Sequence, residues 1–177
     1  MIFRRNRVLN SEEIRSLIES SRLITGYVDL EKQLQPSGFD ISLREVHVFD
    51  GGGEVDFSNR ERLIAETAPL EPDTDGWYRL EQGCYVIVYN EVVRMPLNLS
   101  AIARTRSTML RNGAAIETAV WDPGYHGRSS SLLVVHNPNG IRLKKDGRVA
   151  QLIFLCINEV DEGYAGVYQR ERIEQGE

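Results

Sequence analysis

The chain is poor in the residues that hold metals and cross-links. Its 177 residues include two cysteines and three histidines. Cys84 and Cys156 form no Cys-x-x-Cys pair and have no histidine at ligand spacing, which argues against a zinc site and a disulfide framework. Both lie in apolar, strand-like runs and are expected to be buried thiols. His47, His126 and His136 are scattered. No apolar run reaches membrane-spanning length, and the opening MIFRRNRV has no signal-peptide core. A soluble, cytoplasmic protein is expected. An excess of positive charge is also missing. The net charge is −5, which argues against a nucleic-acid groove. No internal repeat or low-complexity tract is evident.

The charge that is present is unevenly placed. Residues 101–151 hold eight Lys/Arg against three Asp/Glu, a balance of +5, leaving −10 on the rest. A positive centre in an acidic chain suits a small polyanion. At that centre lies Ala103–Gly127, ARTRSTMLRNGAAIETAVWDPGYHG. Its first half groups two guanidiniums and three hydroxyls at Arg104–Thr108, with a helix start expected at Ser107 or Thr108, a combination that suits phosphate. Its second half ends in Asp122-Pro123-Gly124, a forced chain reversal because Pro fixes φ and Gly accepts positive φ. Asp122 therefore sits on a rigid corner, as a general base requires. The competing reading is a capped short helix followed by a plain β-hairpin.

Elsewhere the sequence predicts elements more than chemistry. Asn10, Glu13 and the Leu9/Ile14 pair predict a helix over about 11–20, with Ile14, Leu17 and Ile18 on one face. Pro36-Ser37-Gly38 predicts a turn before the alternating strand Phe39-Ile41-Leu43. Asp40 interrupts that strand, either as a turn-stabilising residue or as an acid aimed at a site. Gly51–Gly76, with seven acidic residues to two basic ones, predicts loops and short strands. Strands are expected at 84–89, 97–103, 114–120, 132–135 and 149–157. One domain over 1–177 is expected, mainly all-β, as a distorted β-barrel or jelly-roll-like fold with the N-terminal helix and one short internal helix. A C-terminal tail over about 159–177 carries Tyr164 and Tyr168 and is expected to dock.

These motifs resemble the dUTPase and dCTP deaminase superfamily, especially its archaeal dUTPase branch, over about Leu9–Gln169. LNSEEIRSLIESSRLI followed by QLQPSGFDISL resembles the deaminase-type N-terminus. RSTMLR resembles the phosphate motif, with Arg106, Ser107 and Arg111 in matching places. AVWDPGYHG resembles the nucleoside-binding hairpin, with Asp122 at the water-activating position and Tyr125 at the ring-packing one. GRVAQLIF resembles the fourth motif, with Gln151 in its polar place. YAGVYQ, from Tyr164 to Gln169, resembles the deaminase-type tail that folds over substrate.

The resemblance implies a homotrimer with active sites at subunit interfaces, hydrolysing dUTP to dUMP and diphosphate with Mg²⁺. Arg106, Ser107, Thr108, Arg111 and Gln151 would hold phosphates, and Tyr164 and Gln169 would contact substrate from the tail. Asp40 would lie near the metal, directly or through water. Three departures qualify it. The glycine-rich C-terminal loop of trimeric dUTPases is absent. Val167 replaces a basic tail residue. The deaminases' catalytic glutamate is missing, because no carboxylate lies between Asp122 and Asp146. Glu117 is the nearest substitute in sequence. A dCTP deaminase, a bifunctional enzyme and a non-catalytic nucleotide-binding regulator remain the alternatives.

Overall fold

The computed structural model describes residues 7–173. The first helix, α1 (Ser11–Ser21), starts where Asn10 accepts from the Glu13 backbone N–H and Glu13 reaches back to the Asn10 N–H, a complete capping box. It ends at Arg22, whose left-handed backbone lets its N–H bond the Ile18 carbonyl. Ile14 and Ile18 are its buried stripe.

There follow β1 (Ile24–Thr25), a one-turn helix α2 (Leu30–Gln33), β2 (Leu34–Gln35), β3 (Gly38–Phe49), β4 (Thr67–Leu70), β5 (Trp77–Leu80), β6 (Gly83–Tyr89), β7 (Val92–Arg94) and β8 (Leu99–Thr105). After the short helix α3 (Ser107–Arg111) come β9 (Ala114–Glu117), β10 (His126–Gly127), β11 (Ser130–Val135), β12 (Ile141–Lys144) and β13 (Arg148–Cys156). The mainly-β expectation holds, and the short internal helix is α3.

The main sheet is antiparallel, in the order β8-β13-β3-β6-β11-β9, with β2 and β4 also on β3. Its two end strands are stitched together by Thr105, whose hydroxyl donates to the Ile116 carbonyl at 3.1 Å and accepts from the Ile116 N–H at 2.8 Å. That contact turns an open sheet into a nearly closed barrel and covers its edges. A three-stranded sheet, β1-β7-β10, and the ribbon β12-β5 complete the fold.

β3 serves two halves of the barrel. It pairs β13 through Phe39–Ser42, then β6 through Leu43–Val48, with register shifts between Leu43 and Glu45 and between Arg148 and Ala150. Every residue from Gly38 to Leu43 is buried, so this stretch is covered on both faces. Phe39, Leu43, Leu133, Leu152 and Phe154 are fully buried in the core. Each such side chain contributes roughly 1.5–3 kcal/mol relative to exposure.

Three expectations need correction. Cys84 is exposed and Cys156 only half-buried. Cys84 pairs Val134 on the outward face of β6 and β11, so an apolar run did not mean an inward residue. The strand expected over 114–120 stops at Glu117, because the chain then leaves the ladder; Val120 is 54% exposed. α2, β5, β7 and β12 were not anticipated. No helix among the described residues is long and apolar enough to cross a membrane.

Candidate active site

The corner forms as its residues dictate. The Tyr125 N–H donates to the Asp122 carbonyl at 3.1 Å, closing a turn with Pro123 second and Gly124 third. Gly124 has φ +81°, the arrangement of a type II turn. Just before it, Trp121 exchanges two backbone bonds with Ala101, at 2.9 and 3.0 Å. The Trp121 indole is buried and donates to the Ser129 hydroxyl at 3.0 Å. Asp122 is thus an exposed side chain on a backbone fixed from both sides.

The corner borders a cleft of about 700 Å³. Asp122, Tyr125, Tyr164, Tyr168, Ser130 and Leu132 are among its lining residues. Tyr125 is buried, and its ring meets Tyr164 edge-on, with centroids 5.8 Å apart.

The tail runs along the hairpin. The Tyr164 N–H donates to the Pro123 carbonyl at 2.7 Å, and the Arg170 N–H to the His126 carbonyl at 2.7 Å. Gln169 pins the two together. Its amide donates to the Gly124 carbonyl at 2.9 Å and the Tyr164 carbonyl at 3.2 Å, and its oxygen accepts from the His126 N–H at 2.8 Å. Tail residues 174–177 lie outside the described residues.

Glu171 also lines the cleft, a position the sequence reading missed. Its carboxylate accepts from the Tyr125 hydroxyl at 2.9 Å and pairs with Arg172 at 2.8 Å. Burial raises the Glu171 carboxyl above its usual range, partly offset by these partners. Burial, aided by Glu171, raises the Tyr125 phenol, which remains a donor. Glu117 is not among the lining residues of this cleft. It pairs with Leu132 and borders a second, smaller cleft with Arg104.

A second group of residues gathers on β3, β13 and β8, outside the lining of that cleft. Asp40, Gln151 and Arg104 form one rung across β3, β13 and β8. The Asp40 side chain is 3% exposed, and one of its oxygens meets Arg106 Nε at 3.0 Å and Arg148 at 3.2 Å. Burial raises the Asp40 carboxyl, against the pull of both guanidiniums. Arg106 also donates to the Arg148 carbonyl at 3.1 Å. Ser107 and Thr108 open α3 with exposed hydroxyls, and Arg111 ends it, exposed; buried Met109 anchors the turn between them.

The structure therefore brings the predicted residues together in two groups. Asp122, Tyr125, Tyr164 and Gln169 form the corner, tail and cleft. Arg106 meets Asp40, which shares the rung with Gln151, and Ser107, Thr108 and Arg111 follow on α3. None of the second group is among the lining residues of the cleft.

Among the described residues, no three His, Cys, Asp or Glu side chains cluster as a metal cage.

A family model described as dCTP deaminase-like matches residues 8–156. A protein of Methanosarcina mazei named probable deoxyuridine 5'-triphosphate nucleotidohydrolase is 50% identical over 166 residues, 93% of this chain and 97% of that protein. One from Archaeoglobus fulgidus with the same name is 47% identical, covering 94% and 98%. The protein of Methanocaldococcus jannaschii named deoxyuridine 5'-triphosphate nucleotidohydrolase is 34% identical, covering 78% and 88%. The solved 2'-deoxycytidine 5'-triphosphate deaminase of Agrobacterium tumefaciens superposes with a TM-score of 0.65 at 20% identity. It covers 86% of this chain, which spans half the length of that one. At that identity the likeness is one of fold.

Proposed function

The chain belongs to the dCTP deaminase-like family, and from that premise we propose that it is a dUTP diphosphatase, hydrolysing the magnesium complex of dUTP to dUMP and diphosphate. The observation that carries the reading is the placement of carboxylates around the cleft. Asp122 stands on the rigid corner, β11 beside it carries only hydroxyl and aliphatic side chains, and the other carboxylate of the cleft, Glu171, is engaged by the Tyr125 hydroxyl and Arg172. Cytosine deamination needs a carboxyl that moves protons between water and departing ammonia, and serine hydroxyls do not titrate near neutral pH. Phosphoester hydrolysis needs one base near the α-phosphorus.

In this reading, Asp122 accepts a proton from water as its oxygen bonds to the α-phosphorus. The bond from that phosphorus to the bridging oxygen breaks, and diphosphate leaves with the electron pair. Arg106, Ser107, Thr108, Arg111 and Gln151 hold the phosphates; magnesium, when bound with the substrate, would supply the charge that offsets the leaving group. Tyr125 packs against the sugar. Backbone groups of the 114–125 hairpin read uracil, and cytosine is rejected because its donors leave buried groups unpaired. Tyr164 and Gln169 close the tail over the nucleoside. We assign Asp40 to orienting Arg106, since its oxygen is shared by two guanidiniums; contact with the metal would run through water.

The separation of the two groups supports active sites shared between copies, in a homotrimer. Each copy would offer its phosphate-binding rung to a neighbour's cleft. Light scattering should give about three times the 20.1 kDa chain mass. A fully active monomer would exclude the shared site.

The reaction is tested by incubating the protein with each deoxynucleoside triphosphate and Mg²⁺, then measuring diphosphate and ammonia. Diphosphate is expected from dUTP and no ammonia from dCTP. Stoichiometric ammonia from dCTP would overturn the reading. Its loss in Glu171→Gln or Glu117→Gln would then identify the proton shuttle.

A further inference from the structure

Glu91 is a buried carboxylate that the proposed reaction does not use. It lies between β6 and β7 and is 1% exposed. Burying a charge is costly unless every partner is in place, and an apolar side chain of similar volume often stabilises as well. Glu91 has its partners. One oxygen accepts from the Ser42 N–H at 2.9 Å; the other accepts from the Ser42 hydroxyl at 2.7 Å and the Gln33 amide at 2.6 Å.

Those partners reach Asp40 and the strand just beyond it. The Gln33 amide also donates to the Asp40 carbonyl at 2.8 Å. Its oxygen accepts from the N–H groups of Val28 and Asp29 at 2.8 and 2.9 Å, so Gln33 cannot turn without breaking four bonds. Ser42 lies two residues along the same strand. Glu91 therefore holds β3 at two points, the Asp40 carbonyl through Gln33 and Ser42 directly. α2 is tied to the same point, because Arg148 bonds both the Lys32 carbonyl and Asp40.

We propose that Glu91 is a positioning residue for the phosphate-binding guanidinium of Arg106, acting through Gln33, Ser42 and Asp40. The inference rests on the reading of Arg106 as a phosphate ligand. A guanidinium aimed at a triphosphate must be held to well under 1 Å, and misplacement by a remote change can cost orders of magnitude. Asp40 sets the direction of Arg106, and the Glu91 network sets the position of Asp40.

The test compares Glu91→Gln, Gln33→Met and Arg106→Ala in the full-length protein. KM and kcat for dUTP are measured, with inhibition constants for inorganic diphosphate and for deoxyuridine, which lacks phosphate. Glu91→Gln and Gln33→Met should each weaken diphosphate inhibition and raise KM by about tenfold, in the direction of Arg106→Ala, with deoxyuridine inhibition unchanged. A purely structural role would lower the folded fraction, and so apparent kcat, without moving KM or the diphosphate constant. That outcome overturns the inference while Arg106→Ala still weakens diphosphate. If Arg106→Ala leaves diphosphate inhibition intact, the phosphate reading fails and the inference with it. Should Glu91→Gln not fold, Gln33→Met decides alone.

Discussion

Asp122→Asn is the most direct perturbation of the proposed chemistry, because the structure separates the side chain from the fold. Among the described residues, the Asp122 carboxylate has no hydrogen bond or ion pair. The corner is held instead by main-chain bonds: Tyr125 to the Asp122 carbonyl, Gly124 to Met95, and Trp121 with Ala101. An isosteric amide disturbs none of them, so stability should change by less than about 0.5 kcal/mol. For a chain of this size that shifts the melting midpoint by less than about 2 °C. The chemical step loses its proton acceptor. Removing a positioned base costs about 10²- to 10⁴-fold, or about 2.7–5.5 kcal/mol of barrier. Binding of dUTP should persist, since the amide still fits and a negative charge near the phosphates is gone. Calorimetric titration of the variant with dUTP and single-turnover diphosphate release give the two quantities separately. Turnover within a factor of two of the unaltered protein would refute the base assignment. Lost binding with a lowered melting midpoint would show that the side chain supports the corner after all.

Gln169→Ala removes two bonds between tail and hairpin and one within the tail, worth roughly 1 kcal/mol each. The tail should become readily cleaved in limited proteolysis while the melting midpoint stays nearly unchanged; an equally protected tail would contradict the pinning role. Gly124→Ala places a methyl 2.7 Å from the Gly163 Cα at a φ of +81°. Strain of about 1–3 kcal/mol should loosen both corner and tail, seen as faster amide exchange at residues 123–126 and 163–171; unchanged exchange would refute it. The Glu13 carboxyl is drawn down to about 2 by Arg7 and the Asn10 N–H. Its folded value lies below the unfolded one, so its contribution is complete above pH 4.5 and is lost as pH falls toward 2. Glu13→Gln should flatten stability against pH in that window, and parallel curves for both proteins would exclude the effect.

The features legible in the sequence are those fixed by neighbours along the chain. The α1 capping box, the type II corner and the start of α3 each depend on residues a few positions apart, and each formed as expected. What escaped depends on residues far apart. Asn90-Glu91 reads as a polar turn between two strands, and only the approach of Gln33 and Ser42 makes it a buried network. Glu171 sits in the alternately charged end of a tail whose expected docking rested on its tyrosines, and only the contact with Tyr125 draws it partly out of water. Cys84 misled because an apolar strand-like run was taken to face inward, whereas it lies at the start of a strand on the outward face. α2 is one turn long, too short for hydrophobic periodicity to register, and its Asp29 cap resembles that of any loop.

The rung that joins Asp40, Gln151 and Arg104 bears on how the chain is made as well as on what it binds. Asp40 and its partner Arg148 are 108 residues apart. At synthesis rates of roughly 5–20 residues per second, Asp40 waits about 5–20 s for β13 to be made. During that interval the stretch from Phe39 to Ser42 lacks its β13 partner, in the kind of segment that pairs with other chains. An unpaired carboxylate in its middle stays ionised and hydrated, and repels like copies. The residue that meets a guanidinium in the finished fold would thus first act as a gatekeeper against aggregation. Asp40→Leu should therefore give insoluble protein during expression in greater proportion than its loss of folded stability accounts for.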